Sequence, residues 1–146
     1  MEGDSRKFIT ALKDNDLAAV REVPKADLHN HFVLGGSRTY IYEQKQILIE
    51  PIKKPLASMW EMDGWNSRYI GERFSGSNLL LGRIKEMAHH PIRRLYRSGL
   101  DVTINSDDVL IFDSDVSKEY IRLFESGCLN AEELNKIRLN GLRKMQ

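Results

Sequence analysis

An α/β fold with parallel strands is the class this sequence predicts, and three observations carry it. Two stretches, 25–31 and 101–105, alternate apolar and polar residues with the period of two that half-buried strands show. Apolar residues at helical spacing lie before and after them. The resulting order of strand, helices, strand, helices is that of an α/β chain.

The elements follow in order along the chain. Asp4 is placed to cap a first helix in which Phe8, Ala11 and Leu12 recur at i, i+3 and i+4, and Asp16 to cap a second that runs through Val20 before Pro24 stops it. From Lys25 to His31 the period changes to two, with Ala26 and Leu28 on one face and Asp27, His29 and His31 on the other. Gly35-Gly36 breaks this strand, and Ser37 is a candidate start for the next helix. Residues 38–76 are mixed, punctuated by Pro51 and Pro55, with Trp60, Trp65, Tyr69 and Phe74 supplying aromatic bulk. Gly71 and Ser75-Gly76-Ser77 read as a loop, or as a point where two once-distant sequences meet. Pro91 at a first helical position, Ile92, Leu95 and Tyr96 on one face and Gly99 just past the end predict a short helix. The second strand, Asp101 to Asn105, sets Val102 and Ile104 against Thr103 and Asn105. A helix with Val116, Tyr120, Leu123 and Phe124 on one face follows, and then a last helix opened by Asn130 with Glu133 three residues on, the spacing of a capping box.

Composition narrows the function classes. The 146 residues fit one domain, 1–146, with a globular balance of 41% hydrophobic and 29% charged residues. A net charge of +1 offers no electrostatic footprint for nucleic acid and no polybasic tail for an anionic membrane. One cysteine, Cys128, rules out an internal disulfide and any Cys-x-x-Cys zinc motif, which is compatible with a reducing cytoplasm. The acidic start Met1-Glu2-Gly3-Asp4 without a long apolar run predicts neither a signal peptide nor a membrane span.

The chemistry sits in two short motifs. His29 and His31 project from one face of their strand about 7 Å apart along the backbone, close enough for two imidazoles to grip one metal ion. A catalytic zinc site takes three protein ligands and leaves a position for water, and a carboxylate is an acceptable third. Asp107 continues the face of Thr103 and Asn105; if the two strands are parallel neighbours, their ends coincide and Asp107 comes within reach of the histidine pair.

These residues resemble a family. Pro24-Lys25-Ala26-Asp27-Leu28-His29-Asn30-His31 looks like the opening metal motif of adenosine deaminases. The run from His90-Pro91-Ile92-Arg93-Arg94-Leu95-Tyr96 through Ser98 to Asn105-Ser106-Asp107-Asp108, and on to Glu119-Tyr120, looks like their closing segment, and Ser77-Asn78 resembles the Ser-Asn that precedes it. The resemblance covers most of 5–36 and 77–142. It implies an incomplete (β/α)8 TIM-barrel fragment that keeps the first-strand and eighth-strand segments, and zinc-dependent release of ammonia from C6 of a purine nucleoside. It makes His29, His31 and Asp107 metal ligands and Asp108 a contact to the purine ring.

The chain also departs from that family. The pattern requires a His-x-x-Glu motif, whose Glu donates a proton to the purine, and a further His that activates water; the other histidines here are only His89 and His90, which read as helix-entry residues. Val33 stands where classical members have an acidic residue that meets the ribose. A complete barrel takes roughly 250 residues, so the expected organisation is a 1–76 segment and a 77–146 segment joined at a deletion junction near 74–77. The cytidine-deaminase type of zinc site is excluded by the single cysteine. Arg93, Arg94 and Arg97 read as a solvated helix flank, and Trp60 and Trp65 as packing residues. The expected function is therefore an inherited purine deaminase with weak or no turnover on its own, tending to self-associate over the apolar faces of Phe8, Leu12, Leu95, Leu123 and Phe124. Two alternatives stand beside it, a non-catalytic metal or nucleoside binding module and a deletion product with no selected role.

Overall fold

The computed structural model describes residues 2–28, 43, 46, 85–106, 109 and 113–145. Among these the elements are α1 (Glu2–Lys13), α2 (Leu17–Glu22), a 3₁₀ turn (Met87–His89), α3 (Ile92–Arg97), α4 (Val116–Glu125) and α5 (Ala131–Lys144).

Local chemistry explains where each helix starts and stops. Asp4 lies inside the first turn of α1 with Glu2, where carboxylates complement the helix dipole; it does not cap the helix as the spacing suggested. Asn15, in the left-handed region at φ 53, ends α1. Its amide bonds Leu12 O and the Asp16 amide bonds Ala11 O, the paired closure of a Schellman motif. Asp16 then caps α2, its side chain accepting from Ala19 N at 3.0 Å. At the end of α3 the same closure recurs around Gly99, at φ 83, with Gly99 N on Tyr96 O and Leu100 N on Leu95 O. Asp115 caps α4 through Lys118 N at 2.9 Å. The capping box of α5 forms in both directions, Glu133 N to Asn130 Oδ1 at 2.8 Å and Asn130 N to Glu133 Oε2 at 2.9 Å.

Helices of six residues, such as α2 and α3, do not persist alone in water, where about 12–15 residues are needed. Burial holds them here. Helix α1 packs on α2, α4 and α5, and α4 packs in turn on α2, α5 and the 3₁₀ turn. Phe8, Leu12, Val20, Leu123, Leu134 and Ile137 are fully enclosed, and Val102 and Ile104 join the same core. The rings of Phe8 and Tyr120 meet edge to face, centroids 5.2 Å apart. Burial pushes the Tyr120 phenol well above its ordinary value.

The predicted α/β class is not what the described residues show. They contain helices and no strand, so the expected (β/α)8 fragment with a first and an eighth strand is corrected. The physical reason lies in the backbone donors. A parallel ladder would give the amides of Leu28 and Ser106 to carbonyls on the neighbouring strand. Instead Leu28 N donates to Asn105 Oδ1 at 2.8 Å, and Ser106 N donates to Asp27 Oδ1 at 3.1 Å. The period of two survives as burial, since Val102, Ile104 and Ser106 are enclosed. It does not extend to Leu28, which is 42% exposed although Ala26 beside it is buried. Alternation was a true sign of a half-buried segment and a false sign of a sheet.

Of the apolar residues expected to offer a self-association face, three are enclosed by the chain's own core. Phe8, Leu12 and Leu123 have no exposure, and Leu95 and Phe124 are partly buried against the same core.

Candidate metal and purine site

The segment after α2 is fixed to the helical body from below. Lys25 directs its ammonium at the last carbonyls of α2, donating to Val20 O and to Val23 O at 2.6 Å. Burial, helped by the nearby Arg138 charge, lowers the Lys25 ammonium to about 8. Ala26 lies against α5 where Gly141 gives it room, because a Cβ at Gly141 would sit 3.1 Å from that of Ala26. Arg138, buried on the same helix, donates to Pro24 O at 2.8 Å, to Asn135 Oδ1 at 3.0 Å and to Ser5 Oγ at 3.4 Å, with its guanidinium over the Phe8 ring.

Residues 27 and 28 are then joined to residues 105 and 106. Both Asp27 carboxylate oxygens accept from Ser106, one from its amide and the other from its hydroxyl. The Asn105 side chain accepts from Leu28 N and, through Nδ2, donates to Thr103 Oγ1 at 3.4 Å. Ser106 is buried and Asp27 is exposed. The segments that lead into the two motifs therefore share one hydrogen-bonded junction, immediately before His29 on one side and Asp107 on the other.

The motif residues themselves, His29, His31, Asp107 and Asp108, lie outside the described residues, as do Val33, Trp60 and Trp65. Among the described residues no group of three or more His, Cys, Asp or Glu is arranged to hold a metal. His89 is at the surface, 3.4 Å from Glu86. His90 is a structural group: its Nδ1 accepts from Ile92 N at 3.1 Å, and burial pushes its imidazole down to about 4. It is thus neutral with its proton on Nε2, and it supplies across Pro91 the start that α3 otherwise lacks. Arg93, Arg94 and Arg97 are exposed, Arg97 lying 3.5 Å from Glu133, as expected of a solvated flank.

Comparison with known proteins decides the family. The family model described as adenosine deaminase matches residues 72–145, half of the chain. The chain belongs to the adenosine deaminase family. This family member is 41% identical over 68 residues to an adenosine deaminase of Plasmodium gallinaceum, a match covering 47% of this chain and 19% of that one. It is 37% identical over 62 residues to an adenine deaminase of Rhizobium meliloti, covering 42% and 19%. An aminodeoxyfutalosine deaminase of Acidothermus cellulolyticus matches at 43% identity over 44 residues, 30% of this chain and 12% of that protein. The matched part of this deaminase-family chain spans about a fifth of the length of the curated relatives in the first two cases. Among the described residues no helix is long and apolar enough to cross a membrane.

The two motifs are legible in residue type and spacing, whereas the bonds that join residues 27 and 28 to 105 and 106 are not. Asp27 was visible on the same period-two face as His29, and that shared face was the available signal. Arg138 gave no signal of its burial, because a lone arginine in a helix reads as solvent-facing.

Proposed function

We propose that this chain carries the two halves of a purine deaminase metal site, with His29, His31 and Asp107 as ligands to one zinc ion and Asp108 as a contact to the purine. The observation that carries this reading is the junction of Asp27 and Leu28 with Asn105 and Ser106. It brings together the residues immediately preceding both halves of the ligand set, although 77 positions separate Leu28 from Asn105. Two imidazoles and a carboxylate form a donor set suited to a catalytic zinc. When bound, such an ion supplies Lewis-acid activation of the water that displaces an amino group. The chain's own residues would hold the ion and orient the ring.

The substrate class is a 6-aminopurine, free or as a nucleoside. Relatives named for adenosine and for adenine both support that breadth, and Val33 in place of an acidic ribose contact favours the base over the sugar. The general acid of the family pattern is absent from the sequence, and general acid–base assistance is worth typically about 100 to 10,000-fold. His90 does not replace it, being committed to the start of α3. The chain therefore binds zinc and purine with turnover far below that of a complete enzyme. The proposed division into 1–76 and 77–146 segments, with a junction near 74–77, stands on the sequence resemblance.

Elemental analysis of dialysed protein tests the ligand set. Wild type retains one zinc per chain, and His29→Ala and Asp107→Ala lose it; equal zinc in all three removes the assignment. Ammonia release from adenine and adenosine, against a metal-matched control, tests turnover. Release at a rate ordinary for enzymes, lost in Asp108→Ala, would show that the chain does not need the missing acid.

A further inference from the structure

We propose that Asp27 is a positioning residue, a carboxylate clamp on Ser106 that aligns the histidine pair with Asp107; the inference rests on the metal-site reading above. Three hydrogen-bonding observations support it. Asp27 uses both oxygens on one residue, taking the Ser106 amide at 3.1 Å and the Ser106 hydroxyl. Two bonds from one carboxylate to one residue fix orientation as well as separation. The reciprocal bond from Leu28 N to Asn105 Oδ1 at 2.8 Å prevents the two segments from pivoting about that clamp. No backbone hydrogen bond between residues 24–28 and 101–106 occurs among the described residues, so these side chains do what a sheet ladder would otherwise do.

The base of the clamp is rigid. Ser106 is buried, Ala26 is pressed against Gly141, and Pro24 is held by Arg138. Asp27 is therefore held between this packed base and Ser106, two positions before His29 in the sequence. Groups that orient metal ligands from outside the coordination sphere typically alter metal affinity by about 10 to 100-fold. The clamp acts one step further out, through the backbone, and the lower end of that range applies.

Charge is not what the clamp needs. In Asp27→Asn the amide oxygen still accepts from Ser106 N, and the serine hydroxyl turns to accept from the new NH₂. In Asp27→Ala both bonds are lost. This separates a clamp from a direct ligand, because a ligand role would fail in both variants.

Zinc affinity measured by competition with a chromogenic chelator, together with amide hydrogen exchange on the metal-free protein, forms the test. The expected result is an affinity loss of about 10-fold in Asp27→Ala, near-wild-type affinity in Asp27→Asn, and faster exchange at Ser106 and Leu28 only in Asp27→Ala. Asn105→Ala, which keeps Asp27 and removes the second bond, should show an intermediate loss and serves if Asp27→Ala does not fold. Asn130→Ala is the control for general destabilisation. It breaks the capping box of α5 about 16 Å along the helix from Gly141, and it should leave zinc affinity unchanged. If wild type binds zinc through His29 and Asp27→Ala binds it equally well, the clamp is refuted and the site reading stands. If Asp27→Asn falls as far as Asp27→Ala, Asp27 acts through its charge and the clamp is refuted. If wild type binds no zinc, the site reading itself fails and takes this inference with it.

Discussion

Arg138, buried on α5, donates from Nη1 to the carbonyl oxygen of Pro24 at 2.8 Å. A proline carbonyl directly after a helix has no neighbour of its own to satisfy it, and here a side chain from the far end of the sequence does so. The same guanidinium reaches Asn135 and Ser5, so three polar atoms depend on it. Burial lowers the Arg138 guanidinium below its ordinary value, but it remains charged at neutral pH.

Replacing Arg138 with Ala should therefore cost about 2 to 3 kcal/mol, since it strands the buried Asn135 acceptor, gives up the part-buried bonds to Pro24 and Ser5, and leaves space beside Phe8. Arg138→Lys should recover little, because an ammonium is a point donor and cannot span Pro24 O, Asn135 and Ser5 together. Urea denaturation of the three proteins checks this, and equal midpoints for wild type and Arg138→Ala would contradict it.

His90 should impose an acid limb on stability. Its imidazole is held at about 4 in the folded chain, below the ordinary 6.5. Between those values the unfolded chain binds more protons than the folded one, so stability falls as pH drops from 6.5 toward 4, by at most about 1.4 kcal/mol per pH unit. Protonation also turns Nδ1 into a donor and removes the acceptor used by Ile92 N. Asn at position 90 keeps an acceptor within reach of that amide without titrating. His90→Asn should thus lose less stability than wild type between pH 6.5 and 4.5, measured by denaturant midpoints at each pH.

Lys25 should act at the other end of the scale. Its ammonium is lowered from 10.5 to about 8, first by burial and then by Arg138. Below pH 8 both states are protonated and the cost of the buried charge is fully present. Between about 8 and 10.5 the unfolded chain holds the extra proton, so the Lys25 contribution makes stability rise with pH. Lys25→Met should be flatter than wild type across pH 7.5 to 10, and parallel profiles for the two would refute the assignment.

The local chemistry of this chain was legible because it is written within four residues. Asp16, Asn130 with Glu133, and Gly99 each act on atoms one turn away, and each does what its spacing predicted. The enclosed helix faces were legible too, through Phe8, Leu12, Tyr120 and Leu123. What covers those faces was not. The periodicity that marks a residue as buried does not say against what, and Phe8, Leu12 and Leu123 are enclosed by other helices of the same chain. The two extended stretches failed for the same reason: alternation is local, whereas a ladder depends on which atom lies opposite, and at Leu28 and Ser106 that atom belongs to a side chain. As for the site, the two family-like motifs were readable from residue type and spacing, while the bonds made by Asp27 and Arg138 required the fold.

Gly141 should tolerate one methyl and no more. Alanine in a helix gains about 0.5 to 1 kcal/mol over glycine, but its Cβ would meet that of Ala26 at 3.1 Å. The two effects nearly cancel, and Gly141→Ala should melt within a few degrees of wild type. Gly141→Val adds bulk that the packed segment cannot absorb and should lose about 1 to 3 kcal/mol. A Gly141→Val protein as stable as wild type would mean that Ala26 does not bear on α5.

The contact of Phe8 with Tyr120, the ion pair of Lys13 with Glu132 and that of Arg21 with Asp115 all join the first helices to the last. Among the described residues, neither end of the chain owns a complete interior. The apolar surfaces of the described residues 2–28 and of 85–106 with 113–145 bury one another, which is the circumstance in which separately made fragments recombine. The two ends answer to one another as ligand and receptor do, at the effective concentration that their covalent connection sets.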